Sequence, residues 1–171
     1  QQLAALIREV PDFPKPGISF KDFTPLLADP AGLALAVELM ANPYRGHNVE
    51  LVIGAESRGF IFGIAIAQSL SAGFVPLRKP GKLPRQVMGV DYALEYGADR
   101  LEMHADAVRE GQRILIVDDL LATGGTMLAA CQLATQLKAT IVGCTVLIEL
   151  ASLGGRSRLK PFGELHSVIK Y

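Results

Sequence analysis

The sequence contains no tryptophan and only two cysteines, Cys131 and Cys144, both in apolar stretches. Neither cysteine belongs to a CxxC pair or to a Cys/His spacing typical of a metal site, so we expect buried thiols and no disulfide framework or zinc centre. No apolar run approaches the ~18 residues of a membrane span. The 17 lysines and arginines equal the 17 acidic residues, which argues against a basic surface for duplex nucleic acid.

The first residues, QQLAALIREVPDF, show no basic segment followed by an apolar one, as a secretory leader would. We therefore expect a soluble cytoplasmic protein without a membrane or nucleic-acid partner. The 171 residues suit one domain with a sizeable core, and no repeat or low-complexity linker divides them. The sequence thus predicts a single domain over residues 1–171.

Strand-like and helix-like segments alternate along most of the chain. We expect buried strands at 49–55, 73–78, 112–118 and 139–150, an edge strand at 166–171, and helices at 58–70 and 125–138. Apolar strands between amphipathic helices predict an α/β fold whose central, mostly parallel, twisted sheet is covered by helices on both faces. Ligands of such sheets bind beyond the carboxyl ends of the strands, where GAESRG, PLRK, VDDLLATGG and IELASL would meet.

Other segments are less regular. Residues 2–9 place Leu3, Leu6 and Ile7 on one helical face and predict a helix. Asp29 is expected to cap a helix that begins at Pro30. Residues 79–91 contain two prolines, two glycines and three basic residues, and predict a mobile loop without strand or helix, followed by a short hairpin at 92–104.

The segment VDDLLATGGT, residues 117–126, carries the most specific chemistry. Gly124 and Gly125 lie where strand becomes helix, and free backbone amides with the helix dipole favour an anion there. Neither the Walker lysine nor the GxGxxG spacing is present, and a plain tight turn is the alternative. Asp118 and Asp119 argue against that alternative, because paired carboxylates suit sugar hydroxyls and a nearby cationic centre. The segment predicts a sugar phosphate site.

VDDLLATGGT resembles the phosphoribosyl-pyrophosphate (PRPP) signature of the type I phosphoribosyltransferases, and its Leu-Leu-Ala variant is similar to that of the adenine phosphoribosyltransferases. The resemblance implies the type I fold, with a small hood formed by residues 1–30 and a flexible catalytic loop at 79–97. It also implies that Asp118 and Asp119 hold the ribose hydroxyls and act in catalysis. The implied ligands of the 5′-phosphate are Ala122, Thr123, Gly124, Gly125 and Thr126.

A second anion site is expected from GAESRGF (54–60) and RKPGKLPR (78–85). Arg58 stands in the first turn of a predicted helix, where a cation is unfavourable unless an anion lies between. For GAESRGF the alternative is a solvent-exposed pair of Arg58 with Glu56. For RKPGKLPR the alternative is a run of charges that is simply solvated. The family resemblance implies that the first segment is the pyrophosphate loop, with a possible cis peptide between Glu56 and Ser57. The implied pyrophosphate ligands are Arg58, Arg78, Lys79, Lys82 and Tyr96. Arg58 is also implied to act in catalysis, by stabilising the negative charge that develops as pyrophosphate leaves.

Three further stretches bear on the base, since PRPP binding alone leaves adenine, xanthine, orotate or uracil open. GISFKDF (17–23) resembles the segment in which an aromatic, here Phe20, packs on adenine while the backbone of Ser19 and Lys21 reads its edge. ELASLGGR (149–156) resembles the opposite wall, carried by Leu153. LEYG (94–97) resembles a loop motif that implies Glu95 as a catalytic acid or base.

Together the resemblance implies a Mg²⁺-dependent enzyme, working as a homodimer, that converts adenine and PRPP to AMP and pyrophosphate in purine salvage. Mg²⁺ would be bound mainly through PRPP and pyrophosphate, with no certain protein ligand. Two alternatives stay open: a transferase for another base such as xanthine, and a PRPP-sensing regulator without catalysis. The zero net charge and the lack of spare length for a DNA-binding segment weigh against the regulator.

Overall fold

The computed structural model describes residues 2–93 and 97–171 of the chain. Short 3-10 turns occur at Ala4–Leu6, Asn42–Tyr44, Ala151–Leu153 and Lys160–Phe162. The strands are β1 (Arg8–Val10), β2 (Phe20–Asp22), β3 (Leu51–Ala55), β4 (Gly73–Leu77), β5 (Val87–Ala93), β6 (Ala98–His104), β7 (Arg113–Leu121), β8 (Thr140–Glu149) and β9 (Leu165–Lys170). The α-helices are α1 (Thr24–Ala28), α2 (Pro30–Ala41), α3 (Arg58–Ser69), α4 (Gly125–Gln136) and α5 (Gly155–Leu159).

Five strands form a central parallel sheet in the order β4-β3-β7-β8-β9. Alternate residues of a strand point to opposite faces, and in β7 Ile114 and Ile116 pack on one face while Leu115 and Val117 pack on the other. The first face is covered by α4 and the antiparallel β5–β6 hairpin, and the second by α1, α2 and α3. The predicted α/β fold with helices on both faces is confirmed.

Most predicted elements are present, with three corrections. Residues 2–9 are not a helix: a 3-10 turn leads into β1, which pairs antiparallel with β2 through Val10 and Phe20. The loop predicted over residues 79–91 ends at Gln86, because Val87 begins β5 and pairs with His104. The strand predicted to end at residue 118 continues to Leu121, since it pairs with β8 as far as Glu149.

Two smaller predictions are confirmed. The Asp29 side chain accepts a hydrogen bond of 2.6 Å from the backbone N–H of Gly32 and so caps α2. Cys131 and Cys144 are buried free thiols, with their sulfurs 3.8 Å apart between α4 and β8. Among the described residues, no helix is both long and apolar enough to cross a membrane.

A buried ion pair holds the carboxyl end of β8. Glu149 is only 3% exposed, and its two carboxylate oxygens lie 2.8 and 2.5 Å from the guanidinium nitrogens of Arg156. Arg156 also donates to the carbonyl of Leu165 and to the hydroxyl of Ser167. The hydrogen bonds from Arg156, which outweigh the opposing effect of burial, lower the pKa of Glu149 to about 2. The pair therefore fixes the start of α5 against β8 and β9.

We expect Glu149→Gln to lower stability by about 2 kcal/mol at pH 7, because charge-assisted hydrogen bonds are lost in a buried site. For a chain of this size that corresponds to a fall of roughly 4–8 °C in Tm. A carboxylate with a lowered pKa stabilises the fold above its unfolded pKa of ~4.3, and this contribution disappears as the pH falls toward 2. Thermal unfolding between pH 7 and 2.5 measures the difference.

Glu110→Gln is the matched control, because Glu110 is 73% exposed in its pair with Lys138 and exposed pairs contribute little. A pH-independent difference between wild type and Glu149→Gln would contradict the ionic origin of the effect.

Candidate active site

A cavity of about 330 Å³ opens at the carboxyl ends of β3 and β7. Its lining brings together the residues predicted from VDDLLATGGT and from the GAESRGF segment. They are Glu56, Ser57, Arg58, Asp118, Asp119, Leu120, Leu121, Ala122, Thr123, Gly124, Gly125, Thr126 and Met127. The position follows from the topology, because the carboxyl ends of neighbouring parallel strands lie at the same edge.

The turn from β7 into α4 has the backbone of an anion site. Gly124 has φ of 83°, a conformation that glycine adopts without a steric penalty, and the 12-residue helix α4 begins at the next residue. A Cβ atom on Gly124 would lie 3.0 Å from the carbonyl oxygen of Gly155 at the start of α5. Arg158 donates to the carbonyl of Thr123 at 3.0 Å. The turn is thus fixed from behind by α5, and its N–H groups are left for a ligand.

The paired acids lie beside this turn within the last residues of β7. Asp119 is 2% exposed, and its Oδ2 lies 3.0 Å from Nε of Arg58 in an ion pair that lacks hydrogen-bond geometry. Asp118 accepts a hydrogen bond from the backbone N–H of Asp119. Burial, followed by the charge of Asp119, raises the pKa of Asp118 well above its usual range. The Asp118 carboxylate is therefore costly to keep ionised without a cationic ligand or hydroxyl donors.

Glu56 is the centre of a second charged cluster at the cavity wall. Its Oε2 accepts hydrogen bonds from Nε of Arg78 at 2.7 Å and from the backbone N–H of Lys79 at 2.9 Å. Although burial alone would raise it, these two donors and the nearby cations lower the pKa of Glu56. The alternative pair of Arg58 with Glu56 is thus not formed; Arg58 faces Asp119, and Glu56 faces Arg78.

Lys79 is bound by the hairpin. Its ammonium forms an ion pair with Asp99 of β6 and donates to the hydroxyl of Tyr92 at 3.1 Å. Burial would lower the pKa of Lys79, but the hydrogen bonds that it donates to Asp99 and Tyr92 prevail and raise it. Lys82 lies exposed in the loop before β5. Of the cations predicted for pyrophosphate, Arg58 lines the cavity, Arg78 is one side chain away, and Lys79 and Lys82 do not line it.

The residues predicted for the base lie on two segments next to the cavity. The Phe20 ring centroid is 6.0 Å from the guanidinium carbon of Arg58, and Phe13 packs edge-on against Phe20 at 5.2 Å. Leu153 is 49% exposed in the turn after β8. None of these side chains belongs to the cavity lining itself.

The side chains of Ser19 and Lys21, the other two residues predicted for the base, contact Glu9. Ser19 donates to Glu9, and the ammonium of Lys21 lies 3.0 Å from the same carboxylate. Their proposed contacts to a base, which would use the backbone, are compatible with this arrangement. Glu95 and Tyr96 lie outside the described residues, so their predicted roles stay predictions.

Several residues around the site were not predicted from the sequence. Gly155 packs against the phosphate turn, and Asp99 and Tyr92 bind Lys79. The Gly-Gly pair at residues 154–155 was a usable signal for close backbone approach. The Asp99 contact had no local signal, because it joins residues 20 positions apart. The Glu56–Ser57 peptide is cis, as the resemblance implied.

The similarity of this chain to known proteins covers the segments that form the cavity. The family model for the phosphoribosyl transferase domain matches residues 24–162. An adenine phosphoribosyltransferase of Methylococcus capsulatus is 53% identical over 170 residues and is covered, like this chain, to 99%. This chain belongs to the phosphoribosyltransferase family. A relative of the same name from Rhodopirellula baltica is 54% identical over 165 residues, which are 96% of this chain and 80% of that protein.

Solved phosphoribosyltransferase structures agree with the fold. The adenine phosphoribosyltransferase of Thermoanaerobacter pseudethanolicus superimposes with a TM-score of 0.95 at 47% identity, over 99% of this chain and 98% of that one. The enzyme of Saccharomyces cerevisiae superimposes with a TM-score of 0.93 at 35% identity, covering 98% and 97%. That structure is a complex with an imino-altritol bisphosphate and adenine. One structural neighbour of this chain thus binds a bisphosphate together with a purine base.

In this phosphoribosyltransferase the raised pKa of Asp118 has a consequence for stability. A carboxyl group whose pKa is raised on folding destabilises the fold above that pKa and has no effect below its unfolded pKa. We therefore expect Asp118→Asn to raise the Tm of the ligand-free protein at pH 8 and to leave it unchanged near pH 3. The asparagine oxygen can still accept from the N–H of Asp119.

The measurement is calorimetry of wild type and Asp118→Asn across that pH range without ligand. The surface variant Asp106→Asn is the control, since Asp106 is 59% exposed in its pair with Arg85. A lower Tm for Asp118→Asn at pH 8 would contradict the unfavourable burial of this charge.

Proposed function

We propose that this protein is an adenine phosphoribosyltransferase of purine salvage, which converts adenine and PRPP to AMP and pyrophosphate. One observation carries the proposal: a phosphate turn, two acids and an arginine line a single cavity, and Phe20 lies 6.0 Å from that arginine. A ligand with a phosphate, a diol and a diphosphate in sequence would meet each group in turn. The names of the most similar relatives support adenine as the base.

In the proposed reaction the bond from the ribose anomeric carbon to pyrophosphate breaks, and a bond from that carbon to a ring nitrogen of adenine forms. The N–H groups of Ala122 to Thr126 hold the 5′-phosphate at the start of α4. Asp118 and Asp119 accept hydrogen bonds from the ribose hydroxyls and stabilise the positive charge that develops on the sugar. Arg58, Arg78, Lys79, Lys82 and Tyr96 bind the departing pyrophosphate.

We assign the base to Phe20 and Leu153, which enclose the purine, and to the backbone of Ser19 and Lys21, which reads its edge. Glu95 takes the proton that adenine loses on attack. Residues 1–30 contribute to a hood over the base, and the cation-bearing segment that begins at Lys79 covers the leaving group.

Mg²⁺ is the proposed cofactor, and the residues present fit it. Among the described residues no group of three metal-binding side chains is assembled. Mg²⁺ commonly uses substrate phosphates with one or two carboxylates, and the buried Oδ2 of Asp119 has no partner beyond its ion pair with Arg58 among the described residues. When bound through PRPP, the ion would supply positive charge to the leaving pyrophosphate.

We further propose a cytoplasmic homodimer that binds adenine, PRPP, AMP and pyrophosphate. Ile61 and Ile64 are 42% and 48% exposed on one side of α3, and exposed apolar side chains on one helix face favour an interface between subunits. Light scattering of wild type and Ile64→Glu tests this point. The free thiols of Cys131 and Cys144 are compatible with a reducing compartment.

The direct test of the function is product analysis after incubation with PRPP, Mg²⁺ and single bases. We expect adenine to be converted to AMP with release of pyrophosphate. In Arg58→Ala and in Asp119→Asn we expect kcat/KM for this reaction to fall by about a hundred- to a thousandfold. Removing a charge aimed at the transition state costs ~2.7–4 kcal/mol. The control is Arg109→Ala, because the Arg109 side chain is 79% exposed and does not line the cavity.

Formation of XMP but not AMP would assign a different base. PRPP binding without turnover of any purine would indicate a regulator, and near-normal turnover of Asp119→Asn would reject its role.

Glu95→Gln tests the proton transfer separately. We expect a loss of about ten- to a hundredfold in kcat with KM for PRPP little changed, because general acid–base groups act mainly in the transition state. The pH profile of kcat should lose one limb. An unchanged kcat and an unchanged profile would exclude proton transfer by Glu95.

A further inference from the structure

Tyr171 follows β9 and is held by the backbone of the segment that carries Leu153. Its N–H donates to the carbonyl of Glu149 at 2.9 Å, and its carbonyl accepts from the N–H of Ala151 at 2.8 Å. The ring is not packed in the core, because the residue is 42% exposed. The backbone of Tyr171 is thus fixed at the start of the Ala151–Leu153 turn, while its ring is available for contact with another segment.

The ring of Tyr171 contacts the hairpin that carries Phe20. The ammonium of Lys21 lies 4.4 Å from the ring centroid, within the range of a cation–π interaction. The same ammonium is 3.0 Å from a carboxylate oxygen of Glu9 in β1. The Lys21 side chain is only 11% exposed. A cation–π contact strengthens when the cation is withdrawn from water. The contact between Lys21 and Tyr171 can therefore help to hold the β1–β2 hairpin in place.

The contact spans the two segments that we assign to the base. Lys21 is the residue directly after Phe20 in β2, and Ala151 is two residues before Leu153. The β1–β2 hairpin pairs only three residues on each side, and a two-stranded hairpin of this length has little stability of its own. Attachment of Lys21 to the sheet edge through Tyr171 therefore limits how far Phe20 can move from Leu153.

We propose that Tyr171 is a positioning residue for the base: its ring holds Lys21, and through it Phe20, at a fixed distance from the Leu153 turn. The inference rests on the proposed function only in identifying Phe20 and Leu153 as the walls of the base site. Tyr171 does not touch the phosphate turn or the paired acids among its described contacts. Its effect should therefore appear in binding of the base and not in binding of PRPP.

The experiment compares Tyr171→Leu with Tyr171→Phe in steady-state kinetics with both substrates varied. Phenylalanine keeps the aromatic face that Lys21 contacts, whereas leucine keeps an apolar side chain without that face. We expect Tyr171→Leu to raise KM for the base about five- to tenfold, with KM for PRPP and kcat within about twofold of wild type. Tyr171→Phe should restore the KM for the base to the wild-type value.

A double-mutant cycle ties the effect to Lys21. Lys21→Met should raise KM for the base to a similar extent, and the double variant Lys21→Met/Tyr171→Leu should be no worse than either single variant. Lys138→Met is the matched control for loss of a lysine, because Lys138 is 70% exposed in its pair with Glu110. Circular dichroism and Tm of each variant establish that the fold is retained.

Three results would overturn the inference. They are an unchanged KM for the base in Tyr171→Leu, an equal rise in KM for PRPP, or additive effects of the two single variants. A wrong assignment of the base would be recognised by a different result, in the wild-type protein itself. If wild type consumes another purine and not adenine, the same comparison is made with that purine, and the split between the two KM values still decides the role of Tyr171.

Discussion

Two adjacent carboxyl groups at the end of β7, one of them buried and the other partly buried, determine the arrangement of the site. Asp119 is almost fully enclosed, and loss of hydration, followed by the charge of Asp119, raises the pKa of Asp118. Arg58 compensates in part from the first turn of α3, where its own charge is unfavourable to the helix dipole. An anion between Arg58 and the two helix N-termini, together with a sugar that becomes positive, relieves all of these costs at once. The ligand-free protein thus has an electrostatic imbalance that the proposed substrate corrects.

The parallel sheet explains why these groups meet. Because β3 and β7 are neighbours with Gly54 opposite Val117, the turns that follow them lie side by side. Each turn leads into a helix on the opposite face of the sheet, α3 on one and α4 on the other. The cavity lies between the two helix N-termini. Behind it, Gly155 supports the phosphate turn through backbone contacts that leave no room for a Cβ atom. The Glu149–Arg156 pair holds α5, which carries Gly155, against β8.

The central sheet and the cavity lining could be predicted because their signals are local. Apolar strands followed by Gly-rich turns specify β3, β7 and the residues after them without reference to distant partners. The predictions of secondary structure were wrong where pairing between strands that are distant in the sequence prevails over the local residue pattern. Residues 8–10 have helical apolar spacing before them, yet they pair with residues 20–22. Val87 to Asp91 have loop-like composition, yet they pair with β6. The partner of Arg58 is Asp119 and not Glu56, which only the relative position of β3 and β7 decides.

The cations beside the cavity are neutralised by the protein itself before any substrate arrives. Arg58 faces Asp119, Arg78 faces Glu56, and Lys79 faces Asp99. A monovalent or small anion can compete for one of these cations at a time, and each exchange returns a carboxylate to an unpaired state. A polyanion can replace several carboxylates in one binding event, because its linked groups act at a high effective concentration once the first is bound. Internal ion pairing of this kind therefore disfavours the binding of abundant simple anions, while a diphosphate ester can still bind.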